Sequence, residues 1–124
     1  MVHMLGQAVA AYTDATHGHT LSAVSGAYYR LLISRSKDAV KKFCRLAENV
    51  WGVSSDGKTE KDIAVEGLLR MEEWMRDLGL AMNITACGAD VSQLEGMADA
   101  CPINESGYVI LTREDVIEVL RQSL

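Results

Sequence analysis

Residues 3–18 read HMLGQAVAAYTDATHG, with His3 and His17 fourteen positions apart. Leu5, Ala8, Val9, Ala11 and Tyr12 make the first part a small, apolar helix from His3 to Tyr12, and the polar run Thr13-Asp14-Ala15-Thr16 ends it. Geometry decides what the two histidines could do. On one continuous helix they would stand about 40° apart in azimuth but about 21 Å apart in height. If the chain turns back at Thr13–Thr16, His3 from one helix and His17 from the start of the next can converge. Two neutral imidazoles then offer borderline nitrogen donors, suited to Fe, Zn, Ni or Cu more than to Mg or Ca. Two ligands are too few, because a catalytic site takes three or more protein ligands and an open position. From spacing alone the plainer reading prevails: His3 is a terminal surface residue and His17 caps a helix.

Outward from this stretch the period stays helical. From about His17 to Ser34, Leu21, Val24, Tyr28, Leu31 and Leu32 form one stripe. Ser36 is an N-cap for a third helix, where Ala39, Val40, Phe43, Cys44, Ala47, Val50 and Trp51 repeat on one face until Gly52. After the polar loop Ser54–Lys58, Thr59 and Asp62 form a capping box, Ala64, Leu68, Met71, Met75 and Leu78 face inward, and Gly79 closes the fourth helix. Asp90 opens a short fifth, with Val91, Leu94, Met97 and Ala98 inward, which Cys101-Pro102 ends. Asn104 to Gly107 form a turn. Thr112 and Asp115, with a staple between Leu111 and Val116, start a sixth helix over Val116–Leu124. No alternating run suggests a strand, so the fold class expected is all-α, a helical bundle over 1–124.

Composition excludes several functions. A net charge of −5 over 124 residues argues against a nucleic-acid partner, which needs clustered Lys and Arg. No apolar stretch is long enough to span a membrane, and no basic segment precedes the apolar N-terminal residues as in a secretory signal. Cys44, Cys87 and Cys101 are an odd set without a C-x-x-C pair, which reads as reduced, buried thiols in a cytoplasmic protein. His19 reads as a solvated side chain, with a third metal ligand as the sharper alternative. Met71, Met75, Met82 and Met97 read as core filler, and Trp51 and Trp74 as packing residues with one polar edge. Glu72-Glu73 and Lys41-Lys42 read as solvated faces.

The segment His3–Gly18, with Tyr12 two residues before the acidic Asp14, resembles the metal-binding segment of iron-containing alcohol dehydrogenases. Further similarities follow in order: Ala47, Val50, Trp51 and Gly52 match the family's A-x-x-V-W-G, and Leu78-Gly79-Leu80 its L-G-L. Leu111 to Leu120, LTREDVIEVL, is similar to its closing helix. The resemblance implies the C-terminal helical domain of the dehydroquinate synthase-like, iron-dependent alcohol dehydrogenase fold. It implies that His3 and His17 are two of four ligands to a divalent metal, Fe2+ first and Zn2+ second. The other two, an Asp and a His four residues apart on an earlier helix, have no counterpart here. Nor does the Gly-rich turn that would cradle the pyrophosphate of NAD or NADP.

Where many members carry a histidine near the substrate, four residues after the first ligand, this sequence has Gln7. An amide can donate or accept a hydrogen bond but takes no proton near neutral pH. The family's proline before the second ligand is replaced by Thr16. Activity would be alcohol–aldehyde interconversion by hydride transfer with NAD(P), in partnership with the missing N-terminal half. The chain alone is expected to be inactive. A different class of function stands beside this one: a non-catalytic helical module that forms homo-oligomers through apolar faces its missing neighbours once covered.

Overall fold

Ser36, Thr59, Asp90 and Thr112 each accept a hydrogen bond from a backbone N–H in the first turn that follows them. These side chains satisfy donors that a helix start leaves without partners, and so fix where four of the helical segments begin. The computed structural model describes residues 1–124. Its helices are α1 (Val2–Ala10), α2 (His17–Arg35), α3 (Lys37–Trp51), α4 (Glu60–Asp77), α5 (Leu94–Ala100) and α6 (Arg113–Gln122). A short 3-10 turn, Val91–Gln93, leads into α5. There is no strand, and no helix is long and apolar enough to cross a membrane. The all-α expectation holds, with helix limits moved by one to three residues. The largest move is at α6, which begins at Arg113 because Thr112 is the cap and the residue after a cap is the first helical one.

α2 is the central element. All seven residues from Ser22 to Tyr28 are buried, a run no single amphipathic face could give. Most are small (Ser22, Ala23, Ser25, Gly26, Ala27), so neighbours approach from every side. One apolar cluster joins α1 and α2 to α5, α6 and the segment around Ile84, with Leu5, Val24, Met97, Leu111, Val116 and Leu120 almost completely buried. Leu111 and Val116 are both buried members of it. A second, smaller cluster lies between α3 and α4 and takes Ile33 from the far end of α2.

α3 and α4 run in the same direction. Cys44 Sγ lies 2.9 Å from the Glu60 carbonyl oxygen, Ala47 packs on Gly67, and the Trp51 and Trp74 rings are 6.1 Å apart. The order of those pairs shows that residues 52–59 carry the chain back along α3 before α4 starts. The helices cross at Gly67. A Cβ built there would lie 2.5 Å from Ala47 Cβ and 2.9 Å from Ala47 Cα.

Three expectations need correction. Glu72 is not a solvated residue: it is 4 % exposed, and its carboxylate accepts a hydrogen bond from Arg30 at 2.7 Å, with Arg76 at 3.9 Å. It fits against α2 only because Gly26 has no Cβ, which would collide with the carboxylate. Val50, Leu78 and Val91 do not face inward but are 57–61 % exposed, lying at the last turns of α3 and α4 and in the 3-10 turn, where no neighbouring helix covers them. Trp74 is half exposed, whereas Trp51 buries its Nε1 without an acceptor. The three cysteines are all buried and unpaired.

Arg35 at the end of α2 reaches Asp115 at 2.7 Å in the first turn of α6. That guanidinium, helped by the Thr112 N–H and hydroxyl, holds the Asp115 carboxyl below the usual aspartate range. A carboxyl depressed in the folded state contributes stability above its unfolded pKa of about 3.9 and loses it as pH falls through the folded value. Urea unfolding followed from pH 6 to pH 2 should therefore show a smaller acid-side loss for Asp115→Asn than for the unaltered chain.

Candidate metal centre

α1 ends early. Tyr12 N–H donates to Val9 O at 3.0 Å and Thr13 Oγ1 donates to the same carbonyl at 3.2 Å, closing the last turn. Residues 13–16 then form no regular structure, and Thr16 is extended (φ −64°, ψ 150°) before the chain turns into α2. Thr16, not His17, occupies the N-cap position, and its side chain makes no capping bond. His17 is thus the first helical residue of α2, returned by the loop to the level of His3.

The two imidazoles meet. Their ring centroids are 5.2 Å apart and the planes are inclined by 54°. Both residues are exposed, so both rings can be reached from outside. Gly6 sets this approach, one turn past His3. A Cβ there would lie 2.7 Å from Leu21 Cδ2 and 3.3 Å from Leu21 N, so glycine lets α1 and α2 cross here without Leu21 turning aside or the helices giving by a few tenths of an ångström. Whether the pair fits a shared ion can be tested on distance. Two imidazoles bound at metal–nitrogen lengths of about 2.0–2.1 Å and roughly 90–110° apart have centroids roughly 4.5–5.2 Å apart. The observed separation lies at the upper end of that range, and the donor set suits Fe(II) or Zn(II).

The pair stands without further donors. No group of three or more His, Cys, Asp or Glu side chains gathers anywhere in the chain. Gln7 is exposed on α1, one turn beyond His3. His19 differs from its solvated reading: its Nδ1 accepts a hydrogen bond from the Ala81 N–H at 2.9 Å. Ser22 Oγ donates to the Ala81 carbonyl at 2.7 Å. Together they fasten the segment after α4 to the first turns of α2 and leave His19 only Nε2 for any other partner. Sequence reading missed this clasp and the role of Gly6. A signal for Gly6 was present, since a glycine inside a helix destabilises it by about 1 kcal/mol and is often there for a close approach.

Comparisons with known proteins agree with this architecture. The family model for the Fe-containing alcohol dehydrogenase family, C-terminal, matches residues 1–124. "Probable NADH-dependent butanol dehydrogenase 1" of Bacillus subtilis is 28 % identical over 124 residues, covering 98 % of this chain and 31 % of its own. NADH-dependent butanol dehydrogenase B of Clostridium acetobutylicum is 29 % identical over 98 residues, covering 78 % and 24 %. Among solved structures, NADH-dependent butanol dehydrogenase A of Thermotoga maritima superposes with a TM-score of 0.82 at 19 % identity, over 98 % of this chain and 32 % of that one. An alcohol dehydrogenase from Oenococcus oeni gives 0.83 at 20 %, over 99 % and 32 %. At those identities the structures establish the fold. The chain spans about a third of the length of the curated relatives it matches. Motifs, helix order and the family match together place the chain in the Fe-containing alcohol dehydrogenase family, as its C-terminal part.

Proposed function

We propose that this chain is the distal half of the metal site of an NAD(P)-dependent alcohol dehydrogenase, in which His3 and His17 hold a divalent ion, Fe2+ or Zn2+. The observation that carries the reading is the 5.2 Å approach of the two rings from separate helices. When bound, such an ion would act as a Lewis acid toward an alcohol or aldehyde oxygen. The residues of this chain would do the holding and the orienting. Each ligating imidazole needs an acceptor for its second ring nitrogen, to fix its tautomer and plane. Gln7 can steady a substrate hydroxyl or carbonyl through its amide, but a proton would have to leave by another group. The remaining ligands and the nicotinamide site would come from the part of the enzyme that precedes this domain. The exposed Val50, Trp74 and Leu78 support association with further structure.

Titrating the chain with Co(II) or Zn(II) by calorimetry tests the reading. His3→Ala and His17→Ala should each weaken binding by at least about tenfold. His19→Ala should leave it unchanged, because that ring is already engaged with the Ala81 N–H. Identical titrations for the unaltered chain and both ligand variants would remove the proposal. Under NADH or NADPH with short aldehydes, the chain alone should show no turnover, and measured turnover would refute the need for an outside cofactor site.

A further inference from the structure

The opposite end of α2 carries a different feature. Where α2 stops and α3 and α4 begin, Arg35, Lys37, Lys41 and Lys61 surround an open cavity of 620 Å³ floored by Ile33 and Val40. A recess of 150 Å³ shares Ile33, Ser34 and Lys61 with it and continues along α4 over Val65, Leu68 and Leu69, with Arg30, whose guanidinium is bound to Glu72, on its α2 side. Four cations and one carboxylate, Glu60, line the larger cavity, although the chain as a whole carries −5. A concave surface of one charge sign concentrates counter-charged solutes more strongly than the same charges spread on a convex face.

The cations are not equally free. Arg35 is bound to Asp115 at 2.7 Å, and Lys41 reaches Asp38 at 3.4 Å. Lys37 and Lys61 pair with no carboxylate. The starts of α3 and α4 add little, because Ser36 and Thr59 already cap their first turns. The attraction therefore rests on side-chain charge. Beside it, Val65 and Leu69 are 40 % and 48 % exposed, and Ile33 forms the shared floor. Charge at one end and apolar surface at the other define an occupant with the same division.

We propose that this groove binds a small amphiphilic anion, its carboxylate or phosphate head held by Lys37 and Lys61 and its short alkyl tail laid over Val65 and Leu69. The site is separate from the histidine pair, with the length of α2, about 27 Å, between them. It does not depend on any metal. A head without a tail loses the apolar contact, and a tail without a head loses the lysines.

Octyl phosphate, kept below its micelle-forming concentration, is the probe, with inorganic phosphate and octanol as half-probes. Binding to the full chain is followed by amide chemical shifts in NMR. Octyl phosphate should perturb residues 33–41 and 59–69 and bind at least about tenfold more tightly than either half-probe. Lys37→Glu/Lys61→Glu should weaken it at least about tenfold, while Lys42→Glu, an exposed lysine outside the cavity, should not change it. Val65→Ser/Leu69→Ser should bring octyl phosphate down to the level of phosphate, and circular dichroism checks that each variant is folded. Equal affinity for octyl phosphate and phosphate overturns the proposal. So does equal weakening by Lys42→Glu, or concentration-dependent shifts in the groove without ligand, which would assign it to a second copy of the chain.

Discussion

Arg30→Ala is expected to lower stability by about 2–4 kcal/mol, the largest effect of any single charge removal in this chain. The reasoning turns on which partner is buried. The side chain of Arg30 is 49 % exposed and that of Glu72 only 5 %. Removing the arginine strands a carboxylate between α2 and α4 with Arg76 at 3.9 Å as its one remaining cation. Removing the charge at the other end is milder. Glu72→Gln leaves an amide of the same shape, and the half-exposed guanidinium can turn to water, for an expected loss of about 1 kcal/mol. The asymmetry is the check. Thermal melts should show a fall of roughly 8–16 °C for Arg30→Ala and only a few degrees for Glu72→Gln. Equal losses would mean that stranding the Glu72 carboxylate carries no penalty of its own, despite its burial. Arg30→Met/Glu72→Met, which removes both charges, should recover most of the loss.

Gly67→Ala should destabilise by about 1–3 kcal/mol, against the sign that helix propensity alone predicts. Alanine in the middle of an exposed helix would gain about 1 kcal/mol over glycine. Here the new methyl would stand 2.5 Å from Ala47 Cβ, 2.9 Å from its Cα and 3.2 Å from its N. Two of those three atoms are backbone, so no rotamer change relieves the clash and α3 and α4 must separate. Separation opens the cluster that holds Ile33, Val53, Ile63 and Leu68. Urea denaturation of Gly67→Ala and Ala47→Gly/Gly67→Ala tests this directly: the second variant should regain part of the loss, because the main obstacle is then gone. A Gly67→Ala chain more stable than the original would show that the two helices are not in contact at this point.

Much of this architecture is local, and local features are what a sequence exposes. Ser36, Thr59 with Asp62, Asp90 and Thr112 with Asp115 act within three residues of themselves, and all four cap the segments that their spacing indicated. The convergence of His3 and His17 was legible as a condition, a chain reversal at 13–16, but meeting it rests on how α1 crosses α2, where Gly6 faces Leu21. Glu72 was misread because its partner is 42 residues away on another helix, and neighbouring Glu73 made the pair look like a solvated face. His19 was misread for the same reason, its partner being a backbone N–H 62 residues on. Leu78 fits the apolar period of α4 but lies past its last buried residue, Met75, and Trp74, read as a packing residue, stands half exposed between the buried Glu72 and Met75. Periodicity reports which side chains could be buried, and only the neighbours decide which are.

The common direction of α3 and α4 shapes how this part of the chain must form. In a helical hairpin, contacts near the turn close small loops first and draw the rest together in sequence. Here the contacting pairs are Cys44 with Glu60, Ala47 with Gly67 and Trp51 with Trp74, so the loops they close span 16, 20 and 23 residues. The entropy of closing them differs by only about 0.3 kcal/mol from one end of the seam to the other. No pair is an easy first step, and zippering from the connection outward is ruled out by geometry. The first contact between the two helices therefore costs nearly the same loop entropy at either end of the seam.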